Sequence, residues 1–344
     1  MNKSYFYLPF ILVVLLLTAC QQQGNEQNVS NTSTKDKEKK TMHIAMLLPG
    51  KIDDEGFMES GYDGLKKIKE DLNAEISYKA NIKPEEKEMK SALEDLAKEK
   101  PNMIIAHGGQ ASEAVENIAK EYPNIEFVVT QGHVKGKNLS SYEVLQEESA
   151  YLAGAAAGLL TKSGTVGHMS GIRVVPGLKG RAAFADGLKK TNPNAKLLTS
   201  FIGDQDSVDL SRKYADAQAN AGADIIFTML NSGRQGVTDV LGKLGLKEIG
   251  NVKDYVKIEP DIFIGSAVAD SGMAGYLAAE RLIKGNYKPN VIERMGLENE
   301  VAVRLSLSNK VPSEVKQKID KLAEQLKDGS IEIKTEYNGP EFEL

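Results

Sequence analysis

An α/β fold of two doubly wound parallel-sheet lobes joined by crossovers is what this sequence predicts from residue 42 onward. Three observations carry the expectation. Apolar runs of strand length alternate with amphipathic helical stretches, the pattern of repeated βαβ units. The alternation comes in two successive series of similar plan, over 42–160 and 161–285, leaving 286–344 for crossover and carboxy-terminal elements. The composition, 41% apolar and 26% charged, is that of an ordinary soluble globular chain, so 344 residues can bury a core in each of two lobes.

The elements follow in order. Lys3 supplies a positive start, and Leu8 to Leu17 is an apolar run too short for the ~20 residues that span a bilayer as a helix. Leu17, Thr18, Ala19 and Cys20 then resemble the bacterial lipobox. Residues 1–19 are therefore expected to be a lipoprotein signal peptide, and Cys20, the single cysteine, to be acylated as the membrane anchor. The segment 20–41 holds one aliphatic side chain, Val29, and is expected to be a disordered tether.

The first series reads as a strand at His43–Leu48, a helix over about 55–72, a strand at Ile76–Ala80, and a helix from Pro84 to Lys100. A strand at Met103–Ala106, a helix over 111–121 and a strand at Ile125–Thr130 complete a four-strand lobe. Tyr151–Leu160 is small and apolar, the composition of a close-packed helix at a lobe interface. The second series has strands at 165–170, 195–201, 224–229 and 262–267 between helices at 178–190, 208–221, 233–244 and 271–284. The tail adds a strand at 301–307, a helix over 312–326 and a last strand at 331–335. Two such lobes joined by several crossovers are the type I periplasmic-binding architecture, and ligands of open α/β sheets collect beyond the carboxyl ends of strands.

Those ends supply the candidate site. Asp54 and Phe57 follow the first strand; Asp54 suits either a helix cap or a ligand contact, and Phe57 either stacks on a flat solute or packs in the core. The third strand ends in His107, Gly108 and Gln110, and the fourth in Gln131 and His133, a set of amides and imidazoles with donors and acceptors on one face. The second lobe contributes Asn231, Ser232 and Asp270. Arg234 reads as an anion clamp or, preferably, a solvated surface charge.

Other functions find less support. A net charge of -5 gives no basic footprint for nucleic acid. The four histidines, His43, His107, His133 and His168, lack the short helical spacing of zinc sites, so neither a metal nor another cofactor is expected. Gly167 to Gly171 places Ser170 one position too late for a nucleophile elbow, and no acid, base and nucleophile converge, so no enzyme is expected. The absence of tryptophan weakens a sugar ligand.

The residues Asp54-Glu55-Gly56-Phe57 with Gly61-Tyr62-Asp63-Gly64 resemble the D-x-G-F-N-x-x-x-x-x-G motif of the BMP (basic membrane protein) family of substrate-binding lipoproteins. Further matches are Ile118–Phe127, Glu148–Thr161, Gly164–Gly171 and Gly222–Ile226, and the likeness covers nearly the whole chain after the tether. Through the His107-Gly108 strand end and Glu113–Phe127 the chain is similar to the Med-like branch, a group linked to competence regulation. The resemblance implies a monomeric lipoprotein on the outer face of the cell membrane, of a Gram-positive surface, that hands a purine base or nucleoside to an ABC permease. The alternative it implies is a Med-like regulatory or sensor lipoprotein uncoupled from transport. Departures from the family pattern are Met58 for the motif's asparagine, Leu230 to Arg234 for its glycine-rich loop, and Ser266-Ala267 where an aspartate would meet ribose.

Overall fold

The computed structural model describes residues 41–344. The expectations for residues 1–19 and for Cys20 and its tether lie outside the described residues. In chain order the first lobe has β1 (His43–Leu48), α1 (Phe57–Leu72), β2 (Glu75–Ala80), α2 (Glu86–Lys98), β3 (Met103–His107), α3 (Ser112–Glu121), β4 (Glu126–Thr130) and β5 (Leu139–Val144). Then come α4 (Gln146–Leu160), β6 (Thr165–Ser170), α5 (Val175–Thr191), β7 (Lys196–Phe201), α6 (Val208–Asn220), β8 (Ile225–Met229), α7 (Arg234–Leu244), β9 (Lys247–Val252), α8 (Tyr255–Ile258) and β10 (Phe263–Ala269). The chain finishes with α9 (Ser271–Ile283), β11 (Ile292–Met295), β12 (Val303–Leu307) and α10 (Ser313–Lys327).

The strands form two six-stranded sheets, β11-β5-β4-β3-β1-β2 and β12-β10-β9-β8-β6-β7. All neighbours are parallel except β12, which runs antiparallel to β10. Parallel strands covered on both faces are apolar throughout, as Ile44 to Leu48 of β1, all fully buried, illustrate. The two orders superpose position by position: β1 with β6, β3 with β8, β4 with β9, β5 with β10. By the same correspondence α1, which follows β1, is the counterpart of α5, which follows β6.

Three crossovers join the lobes: β5 to α4 at Leu145, β10 to α9 at Asp270, and β11 to β12 through 296–302. The helix after each of the first two crossovers packs on the lobe it enters. α4, which its sequence position groups with the first series, lies on α5, and α9 lies on α1. Small residues permit both contacts. A Cβ on Gly154 of α4 would stand 2.0 Å from the Phe184 carbonyl oxygen, and one on Gly272 of α9 would stand 2.0 Å from that of Ser60.

The first lobe thus has six strands rather than the four expected, with β5 and β11 added at one edge, and β9 is a further strand that the sequence pattern did not announce. The expected strand at 331–335 does not form. Instead the tail reaches the edge strand β7, where the Phe342 N–H donates to the Thr199 carbonyl at 2.7 Å and Glu341 pairs with Arg173 and Arg181.

Candidate ligand site between the lobes

The loop after β1 delivers Asp54 to the start of α1. Its Oδ1 accepts the N–H groups of Gly56 (2.9 Å) and Glu59 (3.0 Å), and its Oδ2 accepts that of Met58 (3.1 Å). Oδ2 also accepts the side-chain amide of Asn231, from the other lobe, at 3.0 Å. Burial pushes the Asp54 pKa above its usual range, against the pull of those three backbone bonds. Asp54 is therefore cap and cross-lobe contact at once, with its acceptor sites already taken.

Phe57 begins α1 and stacks on His107, the last residue of β3, with ring centroids 4.3 Å apart. His107 Nε2 lies 2.8 Å from the Phe57 carbonyl oxygen, which can only accept, so Nε2 carries the proton and Nδ1 accepts the Thr130 hydroxyl at 3.0 Å. Burial in the lobe pushes the imidazole pKa down to about 4, which keeps it neutral. This corrects the expectation that His107 offers hydrogen bonds to a solute: both nitrogens serve the protein. Gly61, a glycine of the family motif, explains how the helix fits, since a Cβ there would meet the His107 ring at 2.6 Å. Gly108 donates its N–H to Thr130 Oγ1 at 3.1 Å.

Gln131 is also engaged within its lobe. Held at a φ of 54°, it accepts the Val144 N–H at 2.6 Å and donates to the Val144 carbonyl at 3.2 Å, fastening the end of β4 to β5. Gln110 and His133 are exposed, and His133 approaches Glu143 at 4.0 Å. Gln131 and His133 line a cavity of about 30 Å³ with Glu143, Gln146, Glu147 and Lys179, room for one or two waters.

In the second lobe Ser232 bonds Asp206 at 2.9 Å, and Asp270 caps α9 by accepting the N–H groups of Gly272 and Met273. Neither of these two makes a cross-lobe bond. Arg234 is buried rather than solvated, at 4% exposure. Its guanidinium lies 3.9 Å from the Tyr255 ring centroid, donates to Thr238 at 3.1 Å and crosses to Glu55 at 3.3 Å. Tyr255 joins it by donating its hydroxyl to the Glu55 backbone carbonyl at 2.8 Å. Lys253 adds an ion pair with Glu59 at 2.7 Å.

Behind Arg234, wholly buried Glu248 accepts hydroxyls from Thr228 (2.6 Å) and Thr238 (2.8 Å), and burial lifts its pKa to about 7. Glu55, Tyr255 and Glu248 are the participants that the sequence reasoning did not single out, and Arg234 is the one that it preferred to leave in solvent. The start of α1 and the end of β8 touch so closely that a Cβ on Gly56 would stand 2.2 Å from Asn231 Oδ1. The structure thus brings Asp54, Phe57 and Asn231 together, sets Gln131 and His133 at a second place, and leaves Asp270 at a third.

Two parallel sheets of one strand order, opposing their carboxyl ends and joined by three crossovers, define a two-lobed periplasmic-binding-type solute-binding protein. Solved structures share this fold. A transcriptional activator of the comK gene from Bacillus halodurans matches with a TM-score of 0.72 and 21% identity over 83% of this chain and 96% of that one. A solute-binding protein of an ABC transporter system from Aeropyrum pernix K1 matches at 0.74 and 16%, over 87% and 94%.

The chain belongs to the Bmp family, described as ABC transporter substrate-binding protein PnrA-like, which matches residues 41–336. Among curated relatives, the transcriptional activator protein med of Bacillus subtilis is 28% identical over 79% of this chain and 81% of its own length. Basic membrane protein D of Borreliella burgdorferi is 26% identical over 78% and 75%. Substrate-binding proteins of this kind act outside the cytoplasm, take small ligands and work with permeases; they are binding proteins rather than catalysts. No helix among the described residues is long and apolar enough to cross a membrane.

Proposed function

We propose that this chain is the lipid-anchored, monomeric solute-binding component of a BMP-type ABC importer, and that its lobes close on a purine base or nucleoside. The observation that supports this reading best is the meeting of Asp54 with Asn231 at the facing strand ends, 3.0 Å apart across the cleft. Asp54, Asn231 and the Phe57 ring offer an acceptor, an amide and an aromatic face at one place. A planar heterocycle with both donors and acceptors suits that set. The Asp54–Asn231 bond would be exchanged for bonds to the solute as the lobes part and close again. Gln110, exposed at the end of β3, can contribute a further amide.

A ligand held only by the folded state stabilises it by RT ln(1 + [L]/Kd), so the unfolding temperature climbs with ligand concentration. Titrating the full chain with adenine, guanine, adenosine, guanosine and inosine is expected to give an upward shift that grows with concentration for at least one of them. A flat response across the whole set removes the purine assignment.

The likeness to med of Bacillus subtilis favours the regulatory, Med-like reading as a second one. Permease and ATPase genes beside this one support import; a gene standing apart from any transporter supports regulation.

A further inference from the structure

The matching strand orders create two equivalent corners beside the crossovers. In each, the first helix of one lobe leans over the last strands of the other: α5 over β4 and β5, and α1 over β9 and β10. The first corner is the 30 Å³ cavity. The second is a groove of about 360 Å³, within the size of ordinary small-ligand pockets, roughly 300–1,000 Å³.

Its walls balance charge. Asp63 and Lys67 come from α1, Lys253 and Asp254 from the end of β9, Asp270 from the β10 crossover, and Arg304 from β12. Met273 and the valines at 252, 268 and 301 line the rest. Two carboxylates keep unused acceptor capacity. Asp63 meets Lys66 at 2.7 Å through Oδ1 alone. Asp270 likewise accepts both of its helix-capping bonds through Oδ1 alone. Asp254 is already engaged, its Oδ2 by Lys257, Arg304 and Ser306, and its Oδ1 is closed to solvent. The two remaining Oδ2 atoms favour an occupant that donates. Lys67 and Lys253 each bond one carboxylate and have further N–H donors to give, and Arg304 reaches Asp254 and two carbonyls.

We propose that this groove binds a small zwitterion of the α-amino acid class, its ammonium on Asp63 and Asp270 and its carboxylate on Arg304 and Lys253, with the apolar lining taking the side chain. The inference stands apart from the purine assignment, because none of these residues is among those holding Asp54 to Asn231. Since α1 belongs to one lobe and β9, β10 and β12 to the other, an occupant favours the closed arrangement and couples to the cleft.

The test is calorimetric titration of the full chain with glycine, L-methionine and L-lysine, with butylamine and butyrate as probes carrying one charge each. Saturable binding of at least one amino acid is expected, with both single-charge probes about tenfold weaker or worse. Asp63→Asn and Arg304→Gln should each weaken that binding about tenfold, the first from an exposed helix position whose change leaves the fold intact. No binding up to about 10 mM, binding indifferent to both substitutions, or butylamine binding as tightly as the amino acids would each overturn the proposal. Competitive displacement by a purine nucleoside would do so as well, since it would move the amino acid into the cleft. A failed purine titration leaves the groove untouched.

Discussion

The two lobes seat their equivalent helices in the same way with different chemistry. α1 rests Gly61 on His107, the last residue of β3; α5 rests Gly180 on Met229, the last residue of β8, where a Cβ would come within 2.5 Å of the thioether methyl. One seat is an imidazole that must stay neutral, the other a flexible apolar side chain without charge. The grips across the cleft differ too. The α1 end is held by an amide, a tyrosine hydroxyl, a lysine and a buried guanidinium, at 2.7–3.3 Å. Among the described residues the α5 end is held by Lys179, at 3.5 Å from Glu143 and 3.4 Å from Glu147. A shared topology sets where the helices go, and side chains decide how firmly each is held and whether the corner beside it fills.

The largest effect should come from the α1 grip. In Arg234→Met the cation leaves Tyr255, Thr238 and Glu55, and buried Glu248 loses the positive charge that lowers its pKa. Stripping one member from a buried charged network costs about 3–5 kcal/mol. Denaturant unfolding at neutral pH should show a loss of that order; a loss under ~1 kcal/mol would mean that the α1 end is held no better than the α5 end.

The seats differ in response to acid. His107 has a folded pKa of about 4 against 6.5 in the unfolded chain. The unfolded state therefore takes up a proton first, and the stability that this neutral imidazole represents is complete above pH 6.5 and disappears as pH falls through 4. About 2.5 pKa units correspond to roughly 3 kcal/mol. His107→Met gives the first lobe the second lobe's kind of seat. It should weaken the protein at pH 7, through the lost bonds to Phe57 and Thr130, yet flatten the decline between pH 6.5 and 4. His168, buried in the other lobe with its pKa pushed down to about 3, contributes equally to both proteins and cancels in the difference. Parallel stability curves for wild type and variant would refute the titratable seat.

Much of this plan was legible in the sequence, because apolar strands and their terminal glycines carry it. Two of the strands that escaped notice have polar residues in buried positions, and the third, β11, is only four residues long. β5 reads Leu-Ser-Ser-Tyr-Glu-Val and β9 reads Lys-Glu-Ile-Gly-Asn-Val, patterns that suggest loops until a partner appears. Ser141 finds Val134 and Glu248 finds two threonines, contacts set by the fold and not by neighbours in sequence. The alternating Ile331–Thr335 misled in the opposite sense, since no free strand edge takes it up. At the site, residue types were readable but their partners were not. Asp54 and Gln131 look the same in sequence whether they meet a solute or their own backbone.

The smallest effect is expected at the α5 grip, and it tests the comparison from its weak side. Lys179 holds a flexible stem at the outer limit of ion-pair distance, with 29% of its side chain exposed. Glu143 keeps Arg294 at 3.1 Å when the lysine is gone, and Glu147, 13% exposed, still reaches water. Partly solvated pairs of this kind contribute about 0–1 kcal/mol, and Lys179→Gln should unfold within about 0.5 kcal/mol of wild type. Salt should shrink even that difference, because a solvated pair is screened, whereas the Arg234→Met loss should barely respond to it. Should Lys179→Gln prove as costly as Arg234→Met, the two grips would be equals, and the cause of the unequal corners would lie in helix placement rather than in the side chains that cross the cleft.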